Sequence, residues 1–190
     1  MRRLLLALFV AGAALAQDPE FVRMWEEAQQ QRPRSVASDA RIAPPNEPGT
    51  PLVVHGRLFQ RNGATPVAGV IVFAYQTDRT GVYNRNNVRG WRLRGWARTD
   101  AEGRFTFRTI RPGTYPNRSA PAHIHLSIQG PGMPRRWTNE VQFADDALHT
   151  PRARRESEAA GAFGSIRPVT TRGGVQHVEF HLRLEETGLF

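Results

Sequence analysis

From residue 52 to residue 184 the chain runs as short β-forming stretches, each cut off by glycine, proline or asparagine. That pattern leaves few folds open, because a sheet with one apolar face is stable only when a second layer covers it. Strands are predicted over 52–59, 67–76, 96–99, 105–109, 123–129, 137–143 and 175–184. Phe105 and Phe107 alternate with Thr106 and Arg108, and Val178, Phe180 and Leu182 recur at every second position, so these stretches each carry one apolar face. The stretch 67–76 is apolar almost throughout, as in a strand covered on both sides. Arg61-Asn62-Gly63 supplies one turn, and Asp100-Ala101-Glu102-Gly103 is predicted to close a hairpin between the strands that flank it. The expected fold is all-β: a single β-sandwich domain over 52–190, with a short N-terminal helix and arm over 17–51. Residues 144–164, which include Arg152, Arg154 and Arg155, can be helix or loop.

The N-terminal part has a different grammar. Phe21, Met24, Trp25 and Ala28 fall on one helical face within 17–31, Pro33 ends that pattern, and 34–51 reads as an extended arm. Residues 1–16 have the layout of a secretory signal: Arg2 and Arg3, an apolar run, then Ala14-Leu15-Ala16 as a cleavage site. The mature chain is expected to begin at Gln17 and to be exported, to the periplasm or beyond; an uncleaved anchor is the alternative. The chain has no cysteine, which excludes disulfides, a lipoprotein anchor, zinc–thiolate sites and iron–sulfur clusters. Any metal must be held by His, Asp, Glu or Tyr.

Basic residues outnumber acidic ones, 26 to 17, and all of them are arginine. They are spread along the chain without a nucleic-acid-binding motif, so no nucleic-acid partner is expected, and no membrane partner once the signal is removed. The helix and arm can pack on their own domain or on a second subunit, so an oligomer is open.

The residues that carry chemistry are few. His123 and His125 flank Ile124 in a predicted strand, so both imidazoles project from one face. They can grip one metal ion, or simply lie on a solvated face. The chain has three tyrosines. Tyr83 follows Gly81-Val82 in a loop after a buried strand, and Tyr115 sits in Pro112-Gly113-Thr114-Tyr115-Pro116, a rigid turn eight residues before His123. A phenolate is a hard, anionic oxygen donor suited to Fe(III). Tyr75, inside a strand, reads as a core aromatic. His55 reads as structural and His149 as a loop residue, while His177 and His181, four apart on the last strand, leave room for a second metal site.

In their order along the chain, Val54-His55-Gly56-Arg57, Pro66-Val67-Ala68-Gly69-Val70, Gly81-Val82-Tyr83, Thr99 to Phe105, Thr109 to Pro116 and Pro121-Ala122-His123-Ile124-His125 resemble the intradiol ring-cleavage dioxygenases. The resemblance runs from about Val53 to Phe143. It implies a non-haem Fe(III) cofactor ligated by Tyr83, Tyr115, His123 and His125, with a hydroxide in a fifth position. Tyr115 and His125 would be axial; Tyr83 and His123 would be equatorial. It further implies a small aromatic diol and O2 as substrates. The catechol would displace Tyr115 and the hydroxide, which take up its protons, and the ring would open between the hydroxyl-bearing carbons to a muconate-type product.

Two positions depart from the family pattern. Where an arginine commonly precedes Pro-Ala-His, this chain has Ala120; Arg118 can bend into that role or remain a solvent-exposed loop residue. Where a glutamine is common on the strand after the histidines, the nearest residue is Glu140, either a partner to a metal ligand or an ordinary charge at a sheet edge. The short loop between Tyr115 and His123 implies an open metal site and bulkier catechols. Two alternatives remain at this level: a non-enzymatic transthyretin-like β-sandwich binding module, and a catalytically impaired relative that keeps the metal. Convergence of the four side chains on a common point separates the first from the dioxygenase.

Overall fold

The computed structural model describes residues 19–84 and 90–184. The leader expected over 1–16 lies outside the described residues. In chain order the elements are α1 (Pro19–Gln30), β1 (Asp39–Arg41), β2 (Pro51–Phe59), β3 (Ile71–Gln76), β4 (Leu93–Arg98), β5 (Arg104–Ile110), β6 (His123–Gly130), β7 (Met133–Trp137), β8 (Val141–Phe143), α2 (Pro151–Ala159), a 3-10 turn (Gly161–Phe163), β9 (Ile166–Arg167), β10 (Thr170–Arg172) and β11 (Val175–Arg183).

The strands form two sheets, ordered β1-β5-β2-β11-β10 and β4-β3-β6-β8-β9, with β7 also on β6. The period-2 patterns determine what lies between them. Leu52, Val54 and Leu58 of β2, Phe105 and Phe107 of β5, and Val178, Phe180 and Leu182 of β11 point inward from the first sheet. Val72 and Ala74 of β3, and Ile124, Leu126 and Ile128 of β6, meet them from the second. Gly56 of β2 makes room in this core, since a Cβ there would lie 2.0 Å from the Phe105 ring. The all-β sandwich is the observed fold.

β3 is buried at all six positions because its outer face is covered as well. Trp25 and Ala28 of α1 pack there against Phe73, Tyr75 and Trp91, with Trp25 meeting Phe73 edge-on (4.9 Å between ring centres) and Trp137 at 5.2 Å. The helix expected over 17–31 is present, and it turns the outer face of the second sheet into a second, aromatic core. The arm is not wholly irregular: β1 adds a parallel strand at the edge of the first sheet, beside β5.

Three local expectations change. The turn at 100–103 is present, with the Gly103 N–H donating to the Asp100 carbonyl at 2.9 Å. It does not close a hairpin, because β4 pairs with β3 whereas β5 pairs with β2 and β1. Turn chemistry sets the reversal and not the partner, and here the chain crosses from one sheet to the other. The stretch 67–70 stays outside β3. Of the strand expected over 137–143 only Val141–Phe143 (β8) and Trp137, the last residue of β7, are extended, while β7 begins at Met133, where no strand was expected; Trp137 lies opposite Ser127 and Val141 opposite Ile124, so residues 138–140 face only 125 and 126. One extra residue must bulge out there. β1, β9 and β10, at two or three residues each, are too short for periodicity to reveal.

Candidate metal centre

Both histidines lie at the start of β6 on the face turned away from the sandwich core, while Ile124 between them is buried in it. The two tyrosines come from separate loops that are fastened to one another. Asp78 organises the first: its Oδ1 accepts from the Thr80 N–H (2.8 Å), the Thr80 hydroxyl (2.7 Å) and the Val82 N–H (3.3 Å). Its carbonyl accepts from the Gly113 N–H of the second loop at 2.8 Å, and the Thr77 hydroxyl donates to the Gly113 carbonyl at 2.9 Å. Buried Gln76 adds a further tie, donating to the Ile110 carbonyl at 3.0 Å and accepting from the Thr109 hydroxyl at 2.8 Å. The loops touch through backbone: Gly81 has φ +83°, and a Cβ on it would lie 1.8 Å from the Thr114 carbonyl oxygen. Only glycine allows this approach.

The result is a closed ring of four donor atoms. Tyr83 Oη lies 2.7 Å from Tyr115 Oη and 2.8 Å from His125 Nε2. Tyr115 Oη lies 3.1 Å from His123 Nε2, and the two Nε2 atoms are 3.0 Å apart. A square with edges of this length has its centre about 2 Å from each corner, the distance at which nitrogen and oxygen ligands hold a transition metal. In this ring Tyr83 lies across from His123, and Tyr115 across from His125.

The proton count of the ring points the same way. His123 Nδ1 lies 2.7 Å from the Pro121 carbonyl, which can only accept, so Nδ1 carries the hydrogen. His125 Nδ1 lies 2.8 Å from Glu140 Oε1, a carboxylate oxygen, with the same consequence. Each Nε2 therefore carries a lone pair; a phenol hydroxyl can donate to each, from Tyr83 to His125 at 2.8 Å and from Tyr115 to His123 at 3.1 Å, but the 3.0 Å edge between the two Nε2 atoms has no proton. No proton of a neutral imidazole is left to fill that gap, whereas a cation at the centre of the ring satisfies both.

Burial raises the pKa of both Tyr83 and Tyr115, so without a cation the phenols stay protonated at neutral pH. Burial, then the neighbouring His125, depresses that of His123 and keeps it neutral. Desolvation pulls Glu140 upward, but its hydrogen bond with His125, foremost, and the electrostatic influence of the neighbouring histidines outweigh it and hold the carboxyl below its ordinary range. A metal ion ionises coordinated acids, and two phenolates with two imidazoles form a donor set suited to Fe(III). Glu140 with the two histidines also groups ligand-type atoms within 4.8 Å. Glu140 meets His125 at Nδ1, however, on the far side of the imidazole from the ring, so it backs His125 and is not a corner of the ring.

Tyr83, Tyr115, His123 and His125 thus come together. Tyr75 does not join them; its ring stacks on His125 (4.5 Å between centres, 17°) and on Trp91 (3.8 Å, 15°). Beside His125 opens a cleft of about 300 Å³ whose walls include Phe21, Tyr75, Trp137 and Glu140. Arg118 is exposed in a left-handed backbone conformation (φ 53°), its N–H donating to the Tyr115 carbonyl at 2.8 Å, and its guanidinium makes no hydrogen bond to the four donors. The pairing of His177 with His181 does not form. Residues four apart on a strand are about 13 Å apart; His177 instead meets His55 (3.2 Å, Nδ1 to Nε2), and His181 packs on Phe59. Glu140 is the participant that sequence left undecided between ligand partner and edge charge. The only signal for it was its place where the family pattern has a glutamine.

A family profile described as Dioxygenase matches residues 17–158. Among curated proteins the chain is 30% identical over 125 residues to catechol 1,2-dioxygenase 2 of Acinetobacter lwoffii, covering 56% of this chain and 45% of that protein. It is 34% identical over 115 residues to the protocatechuate 3,4-dioxygenase beta chain of Burkholderia cepacia, covering 53% and 47%. The chain therefore spans under half the length of these curated relatives. Among solved structures, the dioxygenase domain of a dioxygenase–carbohydrate-binding protein fusion from Streptomyces sp. SirexAA-E is 30% identical, with a TM-score of 0.61, covering 82% of this chain and 92% of that one.

Proposed function

Since the chain belongs to the intradiol ring-cleavage dioxygenases, we propose that it opens the ring of a catechol-type diol with O2, between the two hydroxyl-bearing carbons, to a muconate-type product. Tyr83, Tyr115, His123 and His125 are the residues proposed to hold a non-haem ferric ion. The observation that carries this is the four-membered ring of donors with two imidazole lone pairs 3.0 Å apart. When bound there, a ferric ion supplies a Lewis acid and a template for the diol oxygens.

The chain's own residues do the rest. Ionised by a bound ferric ion, Tyr115 would take up a substrate proton; it is half-buried, and its oxygen lies within hydrogen-bond distance of Tyr83 and His123. Tyr83 lies on the loop that Asp78 organises and would remain a ligand where Tyr115 gives way to the diol. Arg118 supplies positive charge near the bound ring by swinging in from its exposed loop, in place of the arginine that Ala120 replaces. Arg118→Ala is expected to slow turnover about 100-fold with iron content unchanged, the lower end of what one well-placed electrostatic group contributes. Wild-type kinetics in that variant would leave Arg118 a loop residue. The short 116–122 connection leaves the site open to bulkier catechols. The signal-like residues 1–16 support export, to the periplasm or the medium.

Oxygen uptake and formation of a ring-opened product, measured with a panel of substituted catechols, test the proposal. One O2 consumed per diol opened is expected. A coloured, iron-loaded protein that turns over none of them would be the catalytically impaired relative instead.

A further inference from the structure

We propose, resting on the ferric site above, that Glu140 is a positioning residue whose negative charge makes His125 a stronger metal ligand than His123. The two histidines stand two residues apart on one strand and differ in what backs them. The N–H of His123 meets the neutral carbonyl of Pro121 at 2.7 Å, whereas the N–H of His125 meets the Glu140 carboxylate at 2.8 Å. A carboxylate draws the Nδ1 proton toward itself and pushes electron density onto Nε2, and such outer partners fix both the tautomer and the basicity of a metal-bound imidazole.

Three features keep this charge directed at His125. The bulge between β7 and β8 is what turns residue 140 toward β6. Among the described residues no arginine forms an ion pair with Glu140; its second oxygen receives only a long contact from Gln142 Nε2, at 3.4 Å. Tyr75 lies flat against the His125 imidazole, 4.5 Å away, and holds its plane while the carboxylate holds its edge. A glutamine in this place would offer the same accepting oxygen without the charge, so Glu140→Gln isolates the charge alone.

A stronger His125 donor leaves a ferric ion less electron-poor. The test uses the full iron-loaded chain, with two readouts independent of turnover: the tyrosinate-to-iron band in the visible spectrum and the Fe(III)/Fe(II) reduction potential. Glu140→Gln is expected to keep the iron, move the band to longer wavelength and raise the potential. Glu140→Asp, which keeps the charge, stays nearer to wild type in both. Glu140→Ala, which loses charge and hydrogen bond together, is expected to weaken iron binding by about 10–100-fold. A coloured wild type whose band and potential are unmoved in Glu140→Gln overturns this proposal and leaves the ferric site standing. A wild type without a tyrosinate band after loading with Fe(III) overturns both.

Discussion

Tyr83 and His125 face each other at 2.8 Å across one edge of the donor ring, and they divide the work of the site differently. His125→Ala removes a corner and also strands the Glu140 carboxylate. Iron affinity is expected to fall by more than the roughly 10–100-fold typical of losing only an outer partner. Metal analysis after dialysis checks this, and full retention of iron would remove His125 from the ligand set. Tyr83→Phe keeps the ring that packs on Tyr75 and loses only the oxygen. Visible absorbance is expected to drop with little change in stability, whereas undiminished colour would contradict a Tyr83 ligand. These four residues were legible in the sequence because their types are scarce and their order is specific: three tyrosines in all, two of them in turns, and a His-x-His on a strand. Glu140 was not, because its contact depends on a bulge that alternation cannot reveal.

At the scale of elements, the site depends on two loops being fastened together as much as on the strand that carries the histidines. Gly81 sits where they cross, with φ +83° and the Thr114 carbonyl oxygen 1.8 Å from any added Cβ. Gly81→Ala is expected to cost about 1–3 kcal/mol from backbone strain alone, and the clash must also push Tyr83 away from Tyr115. Chemical denaturation and iron content would fall together. A variant with wild-type stability and colour would show that the crossing is not needed. Sequence patterning located most strands, because inward residues such as Phe105, Phe107, Val178 and Phe180 recur with period two. It misassigned the 100–103 connection, since Asp-x-x-Gly reports a reversal in either a hairpin or a sheet-to-sheet crossing. It missed the start of β7 at Met133 and ran a strand through 138–140 into β8: β7 and β8 both pair with β6, and the break between them lies in their registers.

On the scale of the whole molecule, the sandwich carries one large core between its sheets and a second, aromatic one under α1, and the donor ring borders the second. The histidines tie this architecture to pH. In the iron-free protein His55, His123 and His181 are all depressed, foremost by burial. An unfolded histidine titrates near 6.5, so below about that pH the unfolded chain binds protons that the folded one refuses. Stability is therefore complete above that value and is lost as pH falls toward the lower folded values. Thermal unfolding of the iron-free protein is expected at a lower temperature at pH 5 than at pH 8; an equal or higher midpoint at pH 5 would contradict this. Iron binding needs neutral imidazoles as well, and acid should release it over the same direction of pH.

Tyr83, Tyr115, His123 and His125 are proposed to hold one ferric ion open to a diol. The visible spectrum of the iron-loaded protein, recorded without O2 before and after addition of catechol, tests this most directly. A tyrosinate-to-iron band that shifts on catechol addition is the predicted result. A protein still colourless after loading with Fe(III) would contradict the claim and favour a sandwich that binds without catalysing.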